Sequence, residues 1–155
     1  MKSIADLLGS FPLTEGMAQD HLELIAGCGK NQVYQPGVYL FREGAEANTF
    51  WALRSGKIAL EVHSPHRGSL VVETLTAGDV LGWSWIFPPY RYMFDARVLD
   101  QTRAIAFDGA CLRGKVEGDS ELGYQLMRRM ASVFSRRLAA ARYQLLDLYG
   151  QPAES

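Results

Sequence analysis

The chain has 155 residues, 48% of them hydrophobic, a net charge of −1 and an isoelectric point near 6.3. That length suits one domain with a proper core, and the near-neutral charge excludes a bulk basic field for gathering nucleic acid. No apolar run is long enough to span a bilayer, and Asp6 interrupts the N-terminal stretch Met1–Leu8, which therefore does not read as a signal peptide.

Residues 1–30 read as a helical segment. Thr14 is placed to cap a helix whose apolar positions are Met17, Leu22, Leu24 and Ile25, with Gly27 and Gly29 ending it. From 31 to 115 the character changes to short apolar runs: Val38–Phe41, Phe50–Leu53, Lys57–His63, Leu70–Leu75, Ala96–Leu99 and Arg103–Phe107. Turn signals divide them at Pro36-Gly37, Glu43-Gly44, Ser55-Gly56, Arg67-Gly68 and Ala77-Gly78-Asp79. Ile58, Leu60 and Val62 alternate with Lys57, Ala59, Glu61 and His63, the period-2 pattern of a half-buried strand. The connections are too short for helical crossovers, so the strands are expected to be antiparallel. The fold class expected is mainly β with flanking helices: a jelly-roll-like antiparallel β-roll with N-terminal helices and one long C-terminal helix.

That helix occupies residues 116–150, before a tail at 151–155. Tyr124, Met127, Ala131, Phe134, Leu138, Ala141, Leu145 and Leu148 alternate in steps of three and four, an a/d seam over more than three heptads. Leu126, Met130 and Val133 form a second apolar stripe. Two stripes need two surfaces: the second is expected on the roll, and the seam on the helix of a second copy, with small Ala131 and Ala141 allowing close approach. The alternative is that both stripes cover one core. Arg128, Arg129, Arg136, Arg137 and Arg142 lie off the seam and read as a solvated face. Cys28 and Cys111 are far apart, without a CxxC pair, and read as reduced, partly buried thiols; that usage fits a reducing cytoplasm.

Three stretches together resemble a known family. Gln35-Pro36-Gly37-Val38-Tyr39-Leu40-Phe41-Arg42-Glu43-Gly44 is similar to an opening strand and turn, and Phe50-Trp51-Ala52-Leu53-Arg54-Ser55-Gly56-Lys57-Ile58 to the next hairpin. Leu75-Thr76-Ala77-Gly78-Asp79-Val80-Leu81-Gly82 is similar to the approach to a phosphate-binding cassette. Over about residues 10–148 the chain resembles the cyclic-nucleotide-binding domain of the catabolite-activator (Crp/Fnr) superfamily. The resemblance implies a cassette at 82–96: a glycine, a glutamate for the ribose 2′-hydroxyl, and an arginine and a small hydroxyl residue for the cyclic phosphate. It also implies a dimer helix that carries the response.

The chain departs from that pattern where the ligand would be held. Gly82 is kept, but Trp83 stands in the glutamate position, and the Arg-Ser/Thr-Ala run reads Phe94-Asp95-Ala96, with an aspartate that would repel phosphate. The nearby basic substitutes are Arg91 and Arg97, and retained binding would run through Gly82, the Ser84 backbone and Arg91. On the dimer helix, the positions resembling the family's base-contacting pair fall near Ala141 and Arg142. Trp83, Trp85, Phe87, Tyr90, Tyr92 and Phe94 place six of the chain's seventeen aromatics in twelve residues, around Pro88-Pro89. Three readings stay open: aromatic bulk that plugs an emptied pocket, a pocket for a flatter or less anionic ligand, or an exposed patch for a protein partner.

His63 and His66 flank a hairpin turn at Pro65 without ligating companions, so no metal site is expected; His21 has no evident partner. Nucleophile-elbow, P-loop and zinc-protease motifs are absent, and Ser84 lacks an assignable base, so no enzyme is expected. The sequence points to a stand-alone regulatory module, a cytoplasmic homodimer, with altered or lost cyclic-nucleotide binding. No cofactor is assigned, and a cyclic nucleotide is the one candidate ligand. The alternatives are a catabolite-activator-type transcription regulator lacking its helix-turn-helix, and a protein-docking subunit that uses segment 83–94. If the chain ends naturally at Ser155, the tail leaves no room for a DNA-reading motif.

Overall fold

The computed structural model describes residues 2–150, so the 151–155 tail lies outside the described residues. The elements run α1 (Ile4–Ser10), α2 (Gln19–Ala26), β1 (Gly29–Tyr34), β2 (Tyr39–Phe41), β3 (Thr49–Ser64), β4 (Gly68–Leu75) and β5 (Val80–Leu81). A 3₁₀ turn at Trp83–Trp85, β6 (Asp95–Asp108), α3 (Gly109–Gly118) and α4 (Ser120–Gly150) follow. All strand pairings are antiparallel, in the order β1-β6-β3-β4, with β2 on β6 and β5 on β3. The expected antiparallel β-roll with flanking helices and a long C-terminal helix is therefore the fold observed.

Two pairs of runs expected as separate strands each form one strand. Phe50–Leu53 and Lys57–His63 join in β3, and Ala96–Leu99 and Arg103–Phe107 join in β6. Ser55-Gly56 is a bulge rather than a turn. The β3–β6 register slips between Leu53 and Ile58, and Gly56 carries the slip at φ +99°. Glycine serves a bulge as readily as a turn, which is why the sequence pattern misleads here. Across the bulge the residues facing the roll interior change from odd-numbered Trp51 and Leu53 to even-numbered Ile58 and Leu60.

Where Phe50–Leu53 of β3 lies beside Ala104–Phe107 of β6 the sheet is buried on both faces, so these stretches read as continuous apolar runs. Phe50, Ala52, Ile105 and Phe107 face a core shared with the helices, while Trp51, Leu53, Ala104 and Ala106 face the roll interior. β1 was hidden by its polar run Lys30-Asn31-Gln32, which lies on the outer strand of the sheet.

Helix starts differ from expectation. Thr14 caps nothing: it is buried in the α1–α2 connection, and its hydroxyl donates to the Leu8 carbonyl. α2 begins at Ala18 with no side-chain cap, whereas α1 has a reciprocal Ser3–Asp6 capping box. His21 does have a partner, with Nε2 3.8 Å from the Asp119 carboxylate at the α3–α4 corner.

The cysteines also differ. Cys28 and Cys111 form a disulfide, with Cα atoms 5.6 Å apart. Eighty-three residues separate them in the chain. They meet because β1 pairs with the end of β6, Gly29 opposite Phe107, and α3 starts immediately after that strand. The pairing removes the cysteine-based argument for a reducing compartment.

A Cβ at Gly56 would lie 2.6 Å from the Gln101 carbonyl oxygen and 2.3 Å from Thr102 Oγ1. Gly56→Ala is expected to lower stability by roughly 2–3 kcal/mol, from positive φ and steric conflict together. Urea unfolding checks this; wild-type stability in the variant would remove the bulge from β3.

Candidate functional site

The cassette lies between the roll interior and the helices. β5 ends at Leu81, and Gly82 turns the chain at φ +88° into the 3₁₀ turn. No side chain fits there: a Cβ would be 2.8 Å from the Thr49 carbonyl and 2.9 Å from the Trp51 ring. Gly82 is thus required by close packing on β3, whatever else the cassette holds.

The aromatic segment divides in three. Tyr92 turns inward, 5% exposed, and stacks on Phe41 with centroids 3.9 Å apart and planes 14° from parallel. Its hydroxyl donates to the Thr49 carbonyl at 2.7 Å and accepts from the Thr49 amide at 3.1 Å. Burial pushes the Tyr92 phenol above its usual pKa, and these backbone hydrogen bonds only partly offset that. Trp51 packs against Phe41 and donates its Nε1–H to the Tyr34 hydroxyl at 3.0 Å. Trp85 is fully buried on the helix side against Phe50. Phe87, Tyr90 and Met93 stand at the surface.

What remains at the cassette is a cavity of about 20 Å³, lined by Phe41, Leu60, Leu81, Gly82, Trp83, Ser84, Tyr92, Met93 and Phe94. That is room for about one water molecule, and the lining carries no basic side chain. Of the residues singled out in the sequence, Gly82, Trp83, Ser84 and Phe94 line this space, while Trp85, Arg91, Asp95 and Ala96 do not.

The substitute arginines are engaged elsewhere. Arg97 makes a forked pair with the buried Glu61 carboxylate, Nε to Oε1 at 2.8 Å and Nη2 to Oε2 at 3.4 Å. Arg91 is exposed and donates to the Gly44 carbonyl at 3.3 Å. Asp95 accepts the Glu43 backbone amide at 2.7 Å and lies 3.7 Å from Arg42 Nε, so it ties the β2 turn to β6. Its carboxylate has a structural role that explains an acid at that position.

Two arginines brace the cassette from the helices. Arg113 of α3 donates to the Trp85 carbonyl at 2.6 Å and lies over Tyr90, 4.6 Å from its centroid. Arg137 of α4 donates to the Val80 carbonyl, lies 4.7 Å from the Trp83 centroid and sits 3.6 Å from Glu73. Burial lowers the Arg137 pKa, against the opposing pull of Glu73 and Asp79; burial raises that of Glu73, with Arg137 opposing. Arg129 donates to the Leu13 and Glu15 carbonyls. Arg129 and Arg137 therefore correct the expectation of a wholly solvated arginine face. Their reach to distant backbone has no signature in local spacing.

On α4, Leu126 and Met130 are buried and Val133 half-buried against the helix-side core. Of the seam, Met127 and Phe134 also pack on that core, Phe134 with its ring 4.9 Å from Trp83. Ala131, Leu138, Ala141, Leu145 and Leu148 are exposed.

Residues 31–119, more than half of the chain, match a family model, the cyclic nucleotide-binding domain. The chain belongs to the cyclic nucleotide-binding domain family. Human cGMP-dependent protein kinase 2 is 31% identical over 78 residues, half of this chain but a tenth of that protein. A candidate cyclic nucleotide-binding protein from Geobacter metallireducens superposes with a TM-score of 0.79 at 26% identity, covering 89% of this domain chain and 99% of that one. The Thermus thermophilus catabolite activator protein superposes with a TM-score of 0.70 at 20% identity, covering 90% and 63% respectively. The chain thus shares its fold with the catabolite activator protein, and the family to which it belongs is regulatory.

Sequence reasoning missed Phe41, Leu60, Leu81 and Met93 as lining residues and Arg137 as a cassette contact. Arg137→Met keeps much of the stem over Trp83 but strips the Val80 carbonyl and Glu73 of their partner. It is expected to cost roughly 1–3 kcal/mol. Thermal unfolding followed by tryptophan fluorescence measures it, and an unchanged midpoint would mean that the brace carries no energy.

Proposed function

We propose that this chain is a regulatory module that keeps the cyclic-nucleotide-binding fold with its ligand space filled by its own side chains. It would not take cAMP or cGMP, and it would act as a homodimer through α4. The observation that carries this reading is the cavity of about 20 Å³ where a nucleotide of a few hundred Å³ would have to sit, closed by the Tyr92–Phe41 stack. The pairing of Arg97 with the buried Glu61 carboxylate supports it, since that guanidinium is already committed within the sheet, as does the Asp95 carboxylate, which would repel a cyclic phosphate. The proposal gives the chain no reaction of its own. A cytoplasmic location is part of the proposal; among the described residues no helix is long and apolar enough to cross a membrane.

A protein-docking role is the second reading, favoured by the exposed edge formed by Phe87, Tyr90 and Met93 beside Pro88-Pro89.

Calorimetric titration with cAMP and with cGMP tests the first part. No binding heat and no thermal shift at millimolar nucleotide are expected; micromolar affinity would mean that Tyr92 swings out and the reading is wrong. The dimer is tested separately. Leu138 is 53% exposed in the single chain, and Leu138→Glu would bury an unpaired charge in a helix pair. Light scattering is expected to show a dimer for wild type and a monomer for the variant, and an unchanged mass would exclude that seam.

A further inference from the structure

Beyond Glu61 the β3–β4 hairpin has no neighbouring strand among the described residues. β6 pairs with β3 only as far as Glu61, β4 is the last strand of the sheet, and Val62–Ser64 pair with Gly68–Leu70 alone. Two carboxylate–arginine pairs tie the base of this hairpin to the body, and they are unequal. Glu61 on β3 is buried and holds Arg97 of β6 in the forked pair, with Nε 2.8 Å from Oε1. Glu73 on β4 faces Arg137 of α4 at 3.6 Å, beyond hydrogen-bond distance, with its side chain 35% exposed.

A cleft of about 350 Å³ runs along this second tie, between β4, the β4–β5 turn, the α1–α2 connection and α4. The charged residues of its wall are Glu73, Asp79, Arg136 and Arg137; the α1–α2 connection adds only Pro12 and Leu13. Asp79 already accepts the Thr76 amide at 2.8 Å, and Arg136 is exposed.

We propose that Glu73–Arg137 is an acid-released latch that holds the β3–β4 hairpin against α4. When Glu73 takes up a proton, its attraction to the guanidinium is lost and the hairpin parts from the helix along the cleft. The tight Glu61–Arg97 pair keeps the hairpin on β6. Arg137 retains the Val80 carbonyl, the Trp83 ring and the Asp79 charge, so the cassette stays braced while the hairpin loosens. The freed strand carries Leu70, Val71 and Val72, all exposed. The latch operates whether or not the cassette takes a nucleotide.

Burial raises the Glu73 pKa against the pull of Arg137, and the Asp79 charge adds to the rise. Proton uptake therefore begins above the usual carboxylate range, before exposed acids titrate. The folded chain holds this proton more tightly than the unfolded chain does. Acid thus adds global stability through Glu73, a contribution lost as pH rises through its folded value, and the release is local.

The test places nitroxide labels on the full chain through Ser69→Cys and Ser135→Cys, with Cys28–Cys111 left oxidised, and reads their separation by pulsed electron resonance. A narrow distribution is expected at about pH 7.5, and a longer, broader one at about pH 5. Amide protection over residues 62–72, corrected for the intrinsic effect of pH, should fall roughly three- to tenfold over the same range while residues 95–99 stay protected. Glu73→Gln should give the broad distribution at both pH values. His63 and His66 also titrate on this hairpin, so the His63→Asn/His66→Asn variant should respond as wild type does. A wild-type distribution that is the same at both pH values, narrow or broad, would overturn the latch. So would a Glu73→Gln chain that still follows wild type, or a response that disappears with the two histidines.

Discussion

The stack of Tyr92 on Phe41 governs the interior of the roll. A β-roll encloses space between its sheet faces, and that space has to be occupied by ligand, by water or by side chains. Here a large ring enters from the cassette, meets Phe41 at van der Waals distance and satisfies its hydroxyl twice on the Thr49 backbone. Without that hydroxyl pairing a phenol at 5% exposure would carry a desolvation cost of a few kcal/mol; with it, the ring is held in one position. Because Thr49 opens β3, the same contact fixes the cassette to the longest strand of the sheet.

Closure of the interior changes what the helices can respond to. Arg113 and Arg137 come from different helices, yet each lies over a cassette aromatic and donates to a backbone carbonyl, Arg113 to Trp85 within the cassette and Arg137 to Val80 just before it. Helix position is therefore set by contacts within the chain. A ligand shifts a conformational equilibrium only through unequal affinity for its states, and under the proposed function the filled interior gives a cyclic nucleotide no such handle at the cassette. On that proposal, a signal that moves α4 would reach it from outside the roll, through the exposed edge near Tyr90, through α3 or through a second chain.

The architecture was legible because its signals are local. Glycine-marked turns, period-2 alternation and the three–four spacing after Tyr124 each reflect a single element and its burial. The cassette was legible as a departure: Trp83 and Phe94-Asp95 stand where polar ligand contacts belong. What each departing residue does was not legible. Asp95 finds the Glu43 amide and Arg97 finds Glu61 across the sheet, partners brought near only by pairing between distant strands. The disulfide was hidden for the same reason, because Cys28 and Cys111 become neighbours only once β1 lies against β6. Tyr92 and Phe94 also look alike in sequence and both line the cavity, but only Tyr92 is buried, with its hydroxyl paired on Thr49 of a distant strand.

The long helix shows how one amphipathic pattern serves two purposes unequally. Leu126, Met130 and Val133 are committed to the helix-side core, and Met127 and Phe134 of the seam are drawn into it as well. The first half of α4 thus has little apolar stripe left over beyond Tyr124 and Ala131. From Leu138 onward the helix leaves the roll, and Leu138, Tyr143, Leu145, Leu146 and Leu148 are all more than half exposed. Such a surface is wider than an a/d stripe and too apolar for a helix end bathed in water. An isolated helix of that length gains its stability from packing rather than propensity. A partner helix laid along this half would meet the free surface immediately after Arg137, so the cassette brace and such an interface would adjoin on one continuous helix. The arrangement places any change in Arg137, and in the Trp83 ring against it, next to the surface where two chains would meet.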